Sequence, residues 1–297
     1  MREPAHVARS LYPFAGRYLD RHGLRYHYLD EGEGQPVVMV HGNPTWSFYF
    51  RNLVLELRRD HRVLVPDHMG CGYSDKPAAD RYGYRLEDRI DDLEALLDSL
   101  DLQEPVTLVA HDWGGMIAMG WAARHPDQVG RIVLMNTAAF HLPDDMSMPP
   151  MLSFVRDTRL AAFLVRRANL FSRGAGWIAP RKRLSREVRN AYAAPYNSPE
   201  NRLATLRFVQ DIPLRPGDPS YETVSQVERG LALFTSTPVL LLWGDQDFVF
   251  GPKVMGVFEK YWPHAEGHHF PDAGHYVLED AAAEIPPILR DFLERHP

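Results

Sequence analysis

The chain holds a single cysteine, Cys71, so it forms no internal disulfide and must be held together by its core. Nothing in it approaches the roughly 20 apolar residues that a membrane-crossing helix needs, since apolar stretches such as Val239 to Trp243 are far shorter. The opening Met1-Arg-Glu-Pro-Ala-His has no apolar leader pattern, and together with the lone thiol this predicts a soluble protein of a reducing, cytoplasmic compartment. Positive charge is not in excess either. The formal net charge is −6, which argues against nucleic acid as a partner. No G-x-G-x-x-G or P-loop pattern occurs, so nucleotide binding has no support. His264, His268 and His269 cluster without cysteines or carboxylates at ligand spacing, and neither a metal nor a cofactor is expected. No repeat or low-complexity tract appears.

What is present is a core. At 297 residues and 45% hydrophobic content, the chain can bury one catalytic unit with an insertion. Short apolar runs bounded by turn residues recur at Val37 to Val40, Val63 to Val65, Val106 to Ala110, Ile132 to Met135 and Val239 to Trp243. Helical stretches lie between them. The clearest puts Leu86, Ile90, Leu93, Leu97 and Leu100 on one stripe with Asp91, Asp92, Glu94 and Asp98 opposite, the period of a helix covering a sheet. Strands apolar at every position, alternating with helices, predict an α/β fold with a mostly parallel, doubly wound sheet covered on both faces. From about Phe140 to Leu231 the pattern changes to proline-punctuated helices rich in Arg, Met and aromatics. This predicts a helical cap over residues 140–231, inserted after the sixth strand into a core of residues 1–139 and 232–297. Within it, Arg156 to Arg189 carries ten Arg or Lys against only Asp157 and Glu187. The run reads first as a solvated face of long side chains and second as a docking patch for an acidic partner or membrane surface.

Chemistry concentrates where apolar runs end. In Val106-Thr-Leu-Val-Ala-His-Asp-Trp-Gly-Gly an apolar strand enters a sharp small-residue turn and then a helix, the layout of a nucleophile elbow with Asp112 at the place of the usual serine. A carboxylate there would attack carbon and become an ester itself, which points to a leaving group on sp3 carbon or a strained ring. His275, in a Gly-His step after a strand, is the candidate base, and Asp247 the acid that fixes its tautomer, with Asp245 as fallback. Trp113, a pure N–H donor, and Asn43 are candidates to hold a halide or oxyanion. Each has a plainer reading alone: Asp112 as a helix cap, Asn43 before Pro44 and Asp247 as turn residues. Their joint placement at the carboxyl ends of strands is what selects the catalytic reading. Cys71, in a glycine-rich loop with no base beside it, reads as a packed thiol.

The motifs His41-Gly-Asn-Pro-Thr-Trp, Pro66-Asp-His-Met-Gly-Cys-Gly-Tyr-Ser-Asp-Lys-Pro, His111-Asp-Trp-Gly-Gly and Gly274-His275 resemble those of haloalkane dehalogenases over nearly the whole chain. The resemblance implies an α/β-hydrolase fold with Asp112 as nucleophile, His275 as base, Asp247 as acid and Asn43 with Trp113 as the halide pair. One branch of that family carries a catalytic Glu after the sixth strand. Here Asn136-Thr137 stand there instead, which favours the branches that use an acid after the seventh, hence Asp247. Leu134-Met-Asn-Thr-Ala-Ala-Phe and Arg207-Phe-Val-Gln-Asp-Ile-Pro-Leu are most similar to the third subfamily, which includes the β-lactone decarboxylases of long-chain olefin biosynthesis. The implied substrate is a small apolar haloalkane, releasing halide ion and alcohol, or an alkyl β-lactone giving an alkene. Lactone chemistry would need a long apolar channel, for which Met146, Met148, Met151, Phe154, Phe163, Leu164 and Phe171 are candidates. A basic cap would also fit assembly with other enzymes of a lipid-derived pathway.

Overall fold

The computed structural model describes residues 7–297. Among the described residues one sheet is built from β1 (Arg17–Arg21), β2 (Leu24–Glu31), β3 (Gln35–Val40), β4 (His61–Pro66), β5 (Val106–Asp112), β6 (Val129–Thr137), β7 (Val239–Gly244) and β8 (Glu266–Phe270). Its spatial order is β1-β2-β4-β3-β5-β6-β7-β8. Pairings β1 to β2 and β2 to β4 are antiparallel, and all others are parallel. The helices are α1 (Arg51–Leu57), α2 (Leu86–Ser99) and α3 (Trp113–Arg124) in the first half of the core. Between β6 and β7 come α4 (Pro150–Asp157), α5 (Arg159–Ala168), α6 (Leu170–Ile178), α7 (Arg186–Ala193), α8 (Leu203–Gln210) and α9 (Tyr221–Gly230). The chain closes with α10 (Pro252–Tyr261), α11 (Val277–Asp280) and α12 (Ile285–Arg295). None of these helices is long and apolar enough to cross a membrane.

Every apolar run read from the sequence falls inside a parallel strand. The period of two explains why those runs are apolar throughout. Val38, Val40, Leu108, Ala110, Leu134 and Leu241 pack under α2, α3 and α10, while Val37, Met39, Val109, Val133, Leu240 and Leu242 pack against α1 and α12. Two features of the solvent side differ from the sequence reading. The β1 to β2 hairpin was not foreseen, because Arg17-Tyr-Leu-Asp-Arg mixes charge with apolar residues at an exposed sheet edge. Asp92, expected on the wet face of α2, is buried, and it accepts hydrogen bonds from Arg21 Nε (2.9 Å) and the Tyr82 hydroxyl (2.8 Å), pinning β1 to the helix.

The insertion has a small core of its own, with Leu152, Val155, Ala161, Val165, Leu206 and Val209 packed together. Its last helix behaves differently: Val224 and Val227 of α9 join the main core beside α3, so the segment expected as cap over 140–231 includes a helix of the sheet's covering layer. Two buried carboxylates fasten the insertion down. Asp211, after α8, accepts from the Leu86 N–H at the start of α2 (2.8 Å), from Arg85 Nη1 (2.9 Å) and from the Ser220 hydroxyl (2.8 Å). Asp280 accepts from the N–H groups of Arg181 (2.8 Å) and Lys182 (2.7 Å), after α6, and of Gly274 (2.8 Å), beside His275.

Candidate active site

Strand β5 ends at Asp112 with φ 53° and ψ −129°, a conformation that costs a non-glycine residue on the order of 1–3 kcal/mol. The turn survives because its surroundings leave no alternative and no room. A Cβ on Gly114 would lie 1.9 Å from the Val40 carbonyl oxygen, and one on Gly42 would lie 2.0 Å from Asp112 Oδ1. Thr137, at the end of β6, donates its hydroxyl to the Asp112 carbonyl. The carboxylate is thereby thrust off the sheet edge at the start of α3.

Asp112 is buried, and the Asn43 N–H donates to its Oδ1 at 2.5 Å, joined by the backbone N–H of Trp113. Its Oδ2 lies 3.5 Å from His275 Nε2. Burial pushes the Asp112 carboxyl above the usual carboxylate value, against the pull of His275 and the two N–H groups. His275 Nδ1–H donates to Asp247 Oδ2 at 2.8 Å, and the other oxygen of Asp247 accepts the Val249 N–H at 2.7 Å. With Nδ1 protonated, Nε2 is the nitrogen turned to Asp112. Burial opposes the imidazolium, but Asp247 first and Asp112 second outweigh it and hold His275 above its ordinary value. Asp245, the fallback acid, is instead engaged with His269 Nδ1 at 2.7 Å, which leaves Asp247 as the partner of His275.

Asn43 and Trp113 reach the same place. The Asn43 carboxamide donates one N–H to the Thr205 carbonyl of α8 (3.0 Å), tying β3 to the insertion, while its Oδ1 is buried without a partner. The Trp113 ring packs on Phe208 with centroids 5.5 Å apart and lines the cavity above Asp112. All five candidate residues therefore converge. Two further residues brace them, and the sequence assigned neither a role. His111 donates Nε2–H to the His275 carbonyl (2.8 Å) and stacks on Tyr49 at 4.4 Å, and burial keeps it neutral. Asn136, with φ 33°, accepts the Gly244 N–H at 2.8 Å and donates to the carbonyls of Gly244 (3.0 Å) and Phe250 (3.3 Å). It locks the end of β6 to the loop that carries Asp247. The only sequence signal for that role was the absence of an acid at this position.

The cavity over this site measures about 400 Å³, within the roughly 300–1,000 Å³ of small-molecule pockets. Asp112, Asn43, Trp113 and His275 form its buried end, and beyond them the walls are almost all hydrocarbon from the insertion. Of the expected channel residues, Met148, Met151, Phe154, Leu164 and Phe171 line it. Met146 packs against the main core instead, and Phe163 is 59% exposed because the period of α5 turns Ala161, Leu164 and Val165 inward. Cys71 is buried, and burial pushes its thiol up to about 11. Among the described residues no cluster of three or more His, Cys, Asp or Glu is placed to hold a metal.

Comparison with known proteins agrees with this geometry. Residues 35–282 match the model of the alpha/beta hydrolase fold family. The chain is 52% identical over 285 residues to a cis-3-alkyl-4-alkyloxetan-2-one decarboxylase of Shewanella oneidensis, covering 96% of this chain and 90% of that one. It is 45% identical over 294 residues to a protein of the same name from Xanthomonas campestris pv. campestris, covering 96% and 98%. Among solved structures, the haloalkane dehalogenase DatA from Agrobacterium tumefaciens C58 superposes with a TM-score of 0.85 at 27% identity, covering 95% of this chain and 97% of that one. The strained aspartate elbow, the mostly parallel sheet and these likenesses place the chain in the α/β-hydrolase family of enzymes, in the group that holds the cis-3-alkyl-4-alkyloxetan-2-one decarboxylases and the haloalkane dehalogenases.

Proposed function

We propose that this chain decarboxylates cis-3-alkyl-4-alkyloxetan-2-ones to alkenes, through a bond between Asp112 and the lactone ring. The observation that carries the reading is a hydrocarbon-walled cavity ending on a buried carboxylate, in a chain 52% identical to a decarboxylase of that class. Asp112 Oδ2 attacks C4 of the strained ring. The C4–O bond breaks, and its electron pair goes to the lactone oxygen, which becomes a free carboxylate. Trp113 Nε1–H and the Asn43 carboxamide, whose side chains line the cavity with Asp112, hold that developing charge in this reading. The C3–carboxylate bond then breaks, its pair forms the C3=C4 double bond, and the C4–O bond to Asp112 returns its pair to the aspartate. Carbon dioxide leaves and the enzyme is restored with no water consumed. Inversion at C4 followed by anti fragmentation gives the cis alkene. The N–H groups of Asn43 and Trp113 on Asp112 favour its ionised form against burial, and His275, oriented by Asp247, stands 3.5 Å from its Oδ2. Residues 140–231 act as the cap that supplies the channel.

Dehalogenation is the second reading, favoured by the complete donor pair of Asn43 and Trp113 beside an aspartate. There Asp112 displaces halide in line, and His275 takes a proton from water so that hydroxide attacks the ester. One experiment separates the two. Purified protein is given a cis-dialkyl β-lactone and 1,2-dibromoethane in parallel, following alkene and bromide. Alkene is expected to dominate, and dominance of bromide would overturn the proposal in favour of the second reading. Asp112→Ala should abolish both reactions. His275→Phe should accumulate an Asp112 ester with the dibromide, seen by intact-protein mass spectrometry, but none with the lactone, whose ester fragments without water.

A further inference from the structure

Large apolar side chains that remain exposed are concentrated at one place. Met151, Phe154, Leu170, Ile178, Leu214 and Phe248 are each 41–55% exposed, and every one of them also lines the cavity above Asp112. They form its doorway. Trp177, beside Ile178 on α6, is 59% exposed, and the Arg189 guanidinium lies 3.8 Å over its ring. On α5, α6, the segment that follows and the start of α7, Arg159, Arg167, Arg173, Arg183 and Arg186 are exposed, and none is within ion-pair distance of a carboxylate among the described residues. Among the acids nearby, Asp144 and Asp145 are exposed between the cavity-lining Pro143 and Ser147, with Asp145 3.7 Å from Lys253 Nζ. Asp157 is paired with Arg156, Glu187 lines the same surface hollow as Arg173, and Glu200 is drawn below its usual value first by its own backbone N–H and the Ser198 hydroxyl and last by Arg166 and Arg167.

We propose that this rim and its arginines form a docking surface for an anionic lipid bilayer, from which an alkyl substrate passes into the cavity without crossing water. Two properties of the patch select that occupant. Its arginines need a dense field of anionic groups, and its apolar residues, with the exposed Trp177 on the same helix as Leu170 and Ile178, need hydrocarbon beyond them, which is the layering of a leaflet. A protein seated on the same rim would close the doorway it covers. The utility of the surface rests on the alkyl-lactone reading, but lipid binding is measurable without turnover, so the two can fail separately.

The test is flotation of the full chain with vesicles of equal parts phosphatidylcholine and phosphatidylglycerol, and with pure phosphatidylcholine. The protein is expected to float with the anionic vesicles and to be released by about 1 M salt, where screening is nearly complete. Arg173→Glu with Arg183→Glu should cut the bound fraction more than about tenfold, and Trp177→Ser should weaken it. All three substitutions should leave turnover of a soluble short-chain substrate unchanged. No binding to anionic vesicles, or equal binding of wild type and the arginine variant, would overturn the proposal. So would lipid-free self-association lost in the same variants, which would identify a second copy of the chain as the occupant.

Discussion

Asp112 and His275 sit close enough to set each other's charge, and the two proposed reactions ask different things of that pair. Hydrolysis of an ester needs neutral His275 as base. Its value is held above the ordinary 6.5, so dehalogenation should fall away as pH drops through a point above 6.5, when the imidazole takes up a proton. Lactone fragmentation needs only ionised Asp112, so its acid limb should lie lower, though above the ordinary 3.8 because burial raises that carboxyl. Profiles of kcat/KM against pH for the two substrates check this, and coincident limbs would contradict the division of roles. Asp247→Asn removes the largest influence raising His275. It should move the dehalogenation limb to lower pH and cost about 10³-fold or more in kcat, since tautomer and orientation go with it. Asn136→Asp is not conservative here, because a carboxylate cannot donate to the carbonyls of Gly244 and Phe250. A loss of about 2–4 kcal/mol is expected, read from the denaturation midpoint. Asn43, Asp112, Trp113 and Asp247 were legible because each follows an apolar run, and His275 because of its Gly-His step. Asn136 and His111 were not, because their work is done through hydrogen bonds to backbone more than a hundred residues away in sequence.

At the scale of elements, the loop that carries His275 is held from the insertion side. Asp280 gathers N–H groups from just after α6 and from Gly274, so one buried side chain joins the insertion, the loop and α11. Asp280→Ala would strand those donors, and a loss of about 3 kcal/mol is expected by chemical denaturation. Loosening of the His275 loop should also lower kcat more than it raises KM, whereas an effect confined to stability would count against the link. The central parallel strands could be read from their apolar runs, since burial on both faces leaves no polar positions to confuse them, and α2 from its apolar stripe, but the parallel edge strand β8, Glu-Gly-His-His-Phe, gave no such run. The β1 to β2 hairpin could not, and neither could the burial of Asp92, because a charge that finds Arg21 and Tyr82 looks in sequence like any solvated aspartate. The same limit applied to α9, whose valines read as cap but pack beside α3.

In the whole molecule the insertion is not a loose lid. Asp211 ties it to α2, Asp280 to the His275 loop and Asn43 to α8, so cap and core are expected to unfold in one transition, with tryptophan fluorescence and far-ultraviolet circular dichroism coincident. Two separated transitions would show the insertion to be an independent unit. The shape of the cavity then sets the substrate length. Leu164→Trp adds bulk to its wall and should shift the preference toward shorter alkyl chains while sparing the shortest, as read from kcat/KM across a lactone series.

The cavity has most of its polar groups at its inner end. On the lactone reading, the substrate brings an ester toward Asn43, Trp113 and Asp112, but the olefin that remains after carbon dioxide departs presents no group for them to hold. Retention of product should therefore depend on tail length alone, and an oily sink at the doorway would become the natural outlet for a molecule that water will not accept.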